Sequence, residues 1–224
     1  GACPRNGLAG VLDSPKMVPD TQRGVCEVVV LTTAPSEQDD RRGEFMQDRA
    51  GRAVWDRIPR ELRDRCARAA VVGCWDSKSG DGESRIRPLA SEIECCRGRV
   101  EMQIADLRPL VVLTVGDDPF TWATGMTGAS TWRGSMFPAR IGGHLCWVYP
   151  VAYPYFAERA PKKYGMDESE RELNIDLQNL AIAMCDELQT PIVVDSGYAD
   201  GVEIITGQEP EEIGRASCRE RVSS

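Results

Sequence analysis

The sequence predicts a three-layer α/β/α sandwich around a central, mostly parallel four-stranded sheet, and three observations predict it. Four short runs, 27–32, 69–73, 110–115 and 145–149, are apolar nearly throughout and rich in β-branched residues. Such runs suit strands buried on both faces of a parallel sheet. Stripes of apolar residues at helical spacing lie between these runs, and strands alternating with helices argue for a layered α/β domain. The 224-residue chain, with 42% hydrophobic and 28% charged residues, is long enough to bury one such core without covalent staples.

The first strand, 27–32, leads into a polar, acidic turn at 36–40. Ala50, Val54, Ile58, Leu62 and Cys66 then recur every four residues, and Pro59 sits where one helix stops and another begins. After the second strand, Ile93, Cys96, Val100, Ile104 and Leu107 form another stripe, with Ser91 and Glu94 spaced as a capping box. The third strand ends at Gly116 and the fourth near Tyr149. Beyond residue 160, Asp167 is placed to cap a helix carrying Leu173, Leu177, Leu180, Met184 and Leu188 on one face. Two more strand-like runs, 191–194 and 202–206, follow. The organisation expected is a domain over 1–160, a helix-plus-strand extension over 161–211, and a non-native, adapter-derived tail over 212–224.

No apolar run approaches the roughly 18 residues that span a bilayer, so a membrane-spanning role is excluded from the reading. A net charge of -8 disfavours wrapping of nucleic acid by a broadly basic surface but leaves room for a local arginine-lined groove. Nine cysteines at irregular spacing, with no signal peptide, point to reduced thiols or metal ligands in a cytoplasmic protein.

The run Ala34-Pro35-Ser36-Glu37-Gln38-Asp39-Asp40, followed by Arg49-Ala50-Gly51-Arg52, resembles the first motif of the family 4, iron-sulfur uracil-DNA glycosylases. In that motif a strand ends in Gly-Glu-Ala-Pro-Gly-Glu, and a loop ending in Gly-Arg-Ala-Gly opens a helix. Further marks occur in the family's order. Cys74 follows the second strand, Glu92-Ile93-Glu94-Cys95-Cys96-Arg97 resembles a Glu-Ile-x-x-Cys-Arg helix start, and Arg108-Pro109 introduces the strand that ends in Gly116. Trp132-Arg133-Gly134 is similar to a Leu-Arg-Gly loop, and Pro150-Val151-Ala152-Tyr153-Pro154 takes the place of Pro-Thr-Phe-His-Pro. The resemblance covers residues 1 to about 160, and agreement of five motifs in order and spacing gives it specificity.

The resemblance implies a four-iron, four-sulfide cluster held by four cysteines, whose soft thiolates suit iron. Cys3, Cys74 and Cys96 match three of them, and the fourth would stand three positions before Cys3, ahead of Gly1. Cys96 lies on the inward stripe, whereas Cys95 is turned away by about 100°. Ordinary buried thiols are the competing reading for all three, and the expected one for Cys26, Cys66, Cys146 and Cys185.

A glycosylase flips a nucleotide from the stack and breaks the bond between base and sugar. The family's carboxylate, stacking Phe, base-reading Asn and hydrogen-bond-donating His correspond here to Thr33, Met46, Ala70 and Tyr153. Of these only Tyr153 keeps a donor for developing negative charge. Asp39, with Glu37 and Asp40 beside it, is a candidate water activator, and solvated loop acids are the competing reading. Pro35 belongs with Met46 and Ala70 to the expected base pocket; Ser36, Arg49, Arg133 and Gly134 are candidate DNA contacts. The lone His144 is expected at the far end of the fourth strand.

The function expected is a monomeric DNA-binding protein of the uracil-DNA glycosylase fold, acting on single-stranded or damaged DNA, with weak, altered or lost uracil excision. One alternative is an active glycosylase for uracil or another deaminated base, using Tyr153 and a loop acid. The other is a scaffold subunit whose extension docks on a replication or repair protein.

Overall fold

The computed structural model describes residues 18–19, 26–74, 88–158, 167–186, 188–195 and 202–205. Cys3, residues 161–166 and the 212–224 segment lie outside them.

Four parallel strands, β2 (Val28–Thr32), β3 (Cys66–Ala70), β4 (Val111–Val115) and β6 (His144–Val151), form the middle of the sheet in the order β3-β2-β4-β6. This is the expected mostly parallel sheet, flanked by helices. It carries two edge strands that the four apolar runs did not announce. The two-residue β1 (Val18–Pro19) pairs antiparallel with β3, and β5 (Phe137–Ile141) pairs antiparallel with β6, making six strands in all. β5 is only half-buried and contains Pro138, so it lacks the continuous apolar run of a central strand.

The central strands are apolar because water never reaches them: Val28 to Leu31 and Val111 to Leu113 are fully buried. β3 starts at Cys66, three residues before the run read from sequence, so Cys66 belongs to the sheet and not to the preceding helical stripe. That stripe divides as Pro59 dictates, into α2 (Arg49–Trp55) and α3 (Arg60–Arg63), with Pro59 as the N-cap of α3.

Helix α4 (Ala90–Leu107) buries Cys96, Val100 and Ile104 as the periodicity requires. Its cap differs from the Ser91/Glu94 expectation. The helix starts two residues earlier in its capping frame: the Glu92 carboxylate accepts the Leu89 N–H at 2.8 Å and is itself buried. A carboxylate at the third helical position does this work whichever residue precedes the helix.

Helix α7 (Glu168–Cys185) is capped by Asp167, which accepts from the Ser169 N–H. Its Leu173, Leu177, Leu180 and Met184 join the same core cluster as the sheet. The helix expected in an extension is thus part of the body of the domain. The Tyr149 hydroxyl of β6, fully enclosed, donates to the Asp176 carbonyl of α7 at 2.8 Å. Cys185, expected in the core, is exposed, because it lies off the leucine stripe at the helix end. The expected late strands are β7 (Ile192–Asp195) and β8 (Val202–Ile205), an antiparallel pair forming its own sheet.

Replacing Leu177, 1% exposed, by Ala should lower the stability of the whole domain by about 2–5 kcal/mol, seen as an earlier midpoint of one urea transition. An unchanged main transition would mean that α7 folds apart from the sheet.

Candidate functional site

Parallel strands end at one edge, and a ligand crevice forms there where neighbouring connections leave in opposite directions. In this sheet the chain passes from β2 to β3 on one side and then to β4 on the other, which puts the divergence between β2 and β4. Thr33 follows β2, Gly116 follows β4, and Tyr153 stands just past the end of β6. Gly116 has φ 87°, a conformation that glycine permits, and Tyr153 packs against it at van der Waals distance.

Helix α5 (Asp117–Thr124) opens directly from Gly116, and its two leading acids do different work. Asp117 accepts the Ala129 N–H at 2.7 Å and so holds the start of α6 (Ala129–Trp132). Asp118 accepts from the Thr33 hydroxyl at 3.4 Å, across the divergence point. Thr33 thus meets Asp118, while Tyr153 packs against Gly116, two residues before that acid. The Tyr153 ring leans on Tyr155, centroids 4.7 Å apart, and Tyr155 is 52% exposed. Asp118 and Tyr155 were not singled out in the sequence. Their only signal is position, three residues past the end of β4 for Asp118 and four past the end of β6 for Tyr155.

The loop after β2 is built around Asp39. Pro35 is buried beneath it, and Ser36 caps the short helix α1 (Glu37–Arg42) by accepting the Asp39 N–H, while Asp39 accepts the Ser36 N–H in return. The other Asp39 oxygen accepts the Gln47 N–H, and the side chain is only 4% exposed. Asp39 is therefore a buried clasp between the two ends of the loop, unlike the solvated acid considered for it. Glu37 is exposed and paired with Arg41. Arg68 grips the same loop from β3, donating to the Phe45 carbonyl at 2.9 Å and lying 4.6 Å over the Trp55 ring.

Met46 has φ 65° and is 2% exposed; Ala70 is completely buried. Both side chains are covered, so a base touching either must displace what covers it. Gly51 explains the Arg-Ala-Gly sequence: a Cβ there would come 2.5 Å from the Met46 Cα. Arg49 and Arg52 project exposed from α2, which packs against the 3-10 turn Tyr155–Glu158.

Arg133, at the end of α6, is engaged by α7. It donates to both Asp176 oxygens, at 2.9 and 3.1 Å, and to Glu172 at 2.8 Å. Partial burial alone would lower the Arg133 pKa, but the two carboxylates raise it above its ordinary value. Burial pushes the Asp176 carboxyl up, against the opposing pull of Arg133. Gly134 keeps this contact close, since a Cβ there would stand 3.2 Å from an Asp176 oxygen. A phosphate reaching Arg133 has to compete with two acids.

His144 begins β6 at the opposite edge, its Nε2 2.8 Å from the Pro109 carbonyl, as expected of a residue remote from the crevice. Cys26 and Cys146 are core thiols, pushed up by burial to about 11 and about 12. Cys96 is buried on α4, Cys74 is half-buried after β3, and Cys95 is exposed. Among the described residues no group of three metal-ligating side chains comes together.

The family described as the uracil DNA glycosylase superfamily matches residues 20–178, more than half of the chain. The protein belongs to the uracil DNA glycosylase superfamily. No curated protein matches it. The superfamily match ends inside α7, in keeping with a helix that shares the domain's core.

Asp39→Ala leaves the Ser36 and Gln47 amides without their acceptor. It should cost about 1–3 kcal/mol in urea denaturation and speed proteolysis within 36–47. Unaltered stability together with an unaltered digestion pattern would show that the loop does not depend on the clasp.

Proposed function

We propose that this superfamily member binds single-stranded or damaged DNA at the carboxyl edge of its sheet, as a monomer, with uracil excision weak or absent. The observation that carries the reading is the pairing of Thr33 with Asp118 at the strand divergence, and of Tyr153 with Gly116 beside the exposed ring of Tyr155. An exposed ring gives a base a stacking surface worth about 1–3 kcal/mol. Arg49 and Arg52, carried by the helix that packs on the Tyr155 turn, supply positive charge for phosphates despite the net charge of -8.

Weak uracil excision follows from what the edge lacks. Ala70 offers no hydrogen bond to a base and Thr33 carries no charge, so neither selection of uracil nor activation of water comes from these positions. Tyr153 keeps a hydroxyl that can stabilise charge on a departing base.

A family 4 iron-sulfur centre belongs to the same proposal, with Cys74 and Cys96 as ligands together with Cys3, which lies outside the described residues. Arg99, less than one turn beyond Cys96, reaches toward the Ala70 carbonyl at 3.5 Å and lies against Gly73, next to Cys74. The Arg99 side chain thus links α4 to the chain after β3, the two segments that carry Cys96 and Cys74. The cluster would supply thiolate-bound iron as a staple between these segments.

Binding of single-stranded oligonucleotides to the full chain should weaken with salt. Arg49→Ala and Arg52→Ala should each reduce the slope of log K against log salt by about 0.7, as measured by fluorescence anisotropy. Salt-independent binding or none would refute a DNA-binding role. Protein that includes the residues upstream of Gly1, purified anaerobically, should contain iron that Cys74→Ala or Cys96→Ala removes and Cys95→Ala retains; iron-free wild type of that protein would refute the cluster.

A further inference from the structure

We propose that Glu172 is a built-in competitor for phosphate at Arg133, so that α7 holds DNA affinity at the carboxyl edge below what the arginine would otherwise give. This rests on the DNA-binding reading above. Arg133 belongs to that edge. The N–H of Gly134, the next residue, donates to the Pro150 carbonyl at 3.0 Å, and the carbonyl of Val151 just beyond accepts the Gly116 N–H at 3.0 Å.

The two acids hold Arg133 in different ways. Asp176 receives one guanidinium nitrogen on both of its oxygens, and its side chain is only 4% exposed. Its backbone carbonyl takes the Tyr149 hydroxyl, and Gly134 lies close against its carboxylate. A group so enclosed is a fixture, and it sets the direction in which the guanidinium points. Glu172 takes the other nitrogen from the rim, at 2.8 Å, with its side chain 36% exposed. An ion pair so open to water adds little to stability. Nor does α7 need it as an anchor, since Glu170 pairs with Arg57 and the leucine face lies in the core.

Charge shows what Glu172 does instead. One guanidinium shared by two carboxylates leaves an excess negative charge at the edge. Burial raises the Asp176 carboxyl, Arg133 draws it down, and Glu172 pushes it up again, so the two acids repel each other across the arginine. Asp176 alone would neutralise Arg133; Glu172 overcompensates, on the side from which a phosphodiester arrives. A planar guanidinium binds phosphate oxygens with the same fork that it offers to carboxylates. A DNA phosphate can therefore replace Glu172 at the outer nitrogen while Asp176 keeps the inner one, and the fold is left untouched.

Affinity of the full chain for a single-stranded oligonucleotide is measured by fluorescence anisotropy over a range of salt. Glu172→Gln should bind about 3- to 10-fold more tightly at low salt, with a slope of log K against log salt steeper by about 0.7, the mark of one further phosphate contact. Glu168→Gln removes the same charge one turn earlier on α7 and should give no comparable gain. Adding Arg133→Gln to Glu172→Gln should abolish the gain; if that double variant does not fold, the Glu168→Gln comparison decides. Unchanged affinity in Glu172→Gln, or an equal gain in Glu168→Gln, overturns the inference and leaves the DNA-binding reading intact. No binding by wild type or by Glu172→Gln removes both.

Discussion

Everything at the candidate site depends on four parallel strands finishing at one edge in a fixed register. Thr32 lies opposite Ala70, and Val115 opposite Val151, so the loops that follow are delivered to one place without contacting one another beforehand. The ladder is held by strands from which water is excluded, and slipping it by one residue would turn polar Thr32 and Thr114 toward different surroundings. A rigid sheet thus bears the cost of order, and the loops need only short-range devices to finish the work.

Those devices are mostly single carboxylates used as fasteners. Asp39 joins the ends of one loop, Asp117 starts α6, Asp48 caps α2 through the Gly51 N–H at 2.7 Å, and Glu92 caps α4. Each accepts from backbone N–H groups that would otherwise be left unsatisfied, which explains why an acidic protein spends so many of its charges near helix starts. Asp118 differs in being held by a side-chain hydroxyl across 85 residues of sequence.

The sheet was legible because burial leaves a mark on every residue of a central strand, and α7 because its leucines repeat at the helical period behind a capping Asp167. β5 was hidden by its edge position, where half-burial and Pro138 erase the pattern. At the start of α4, serine and glutamate fit the capping spacing at 91 and 94, while Glu92 does the same job two residues earlier. At the site, Thr33 and Tyr153 could be placed because they stand beside strands. The contact of Thr33 with Asp118, the covering of Met46 and Ala70, and the capture of Arg133 by α7 are products of packing between distant segments, and no local pattern encodes them.

The phenol of Tyr149 fastens β6 to α7. Its oxygen sits in an apolar interior and finds its acceptor on the main chain of Asp176. Ending the polypeptide at 160 would strand that oxygen among hydrocarbon and strip the leucine face from β6. The core itself continues to Met184 in the last turn of α7, beyond residue 178 where the superfamily match ends.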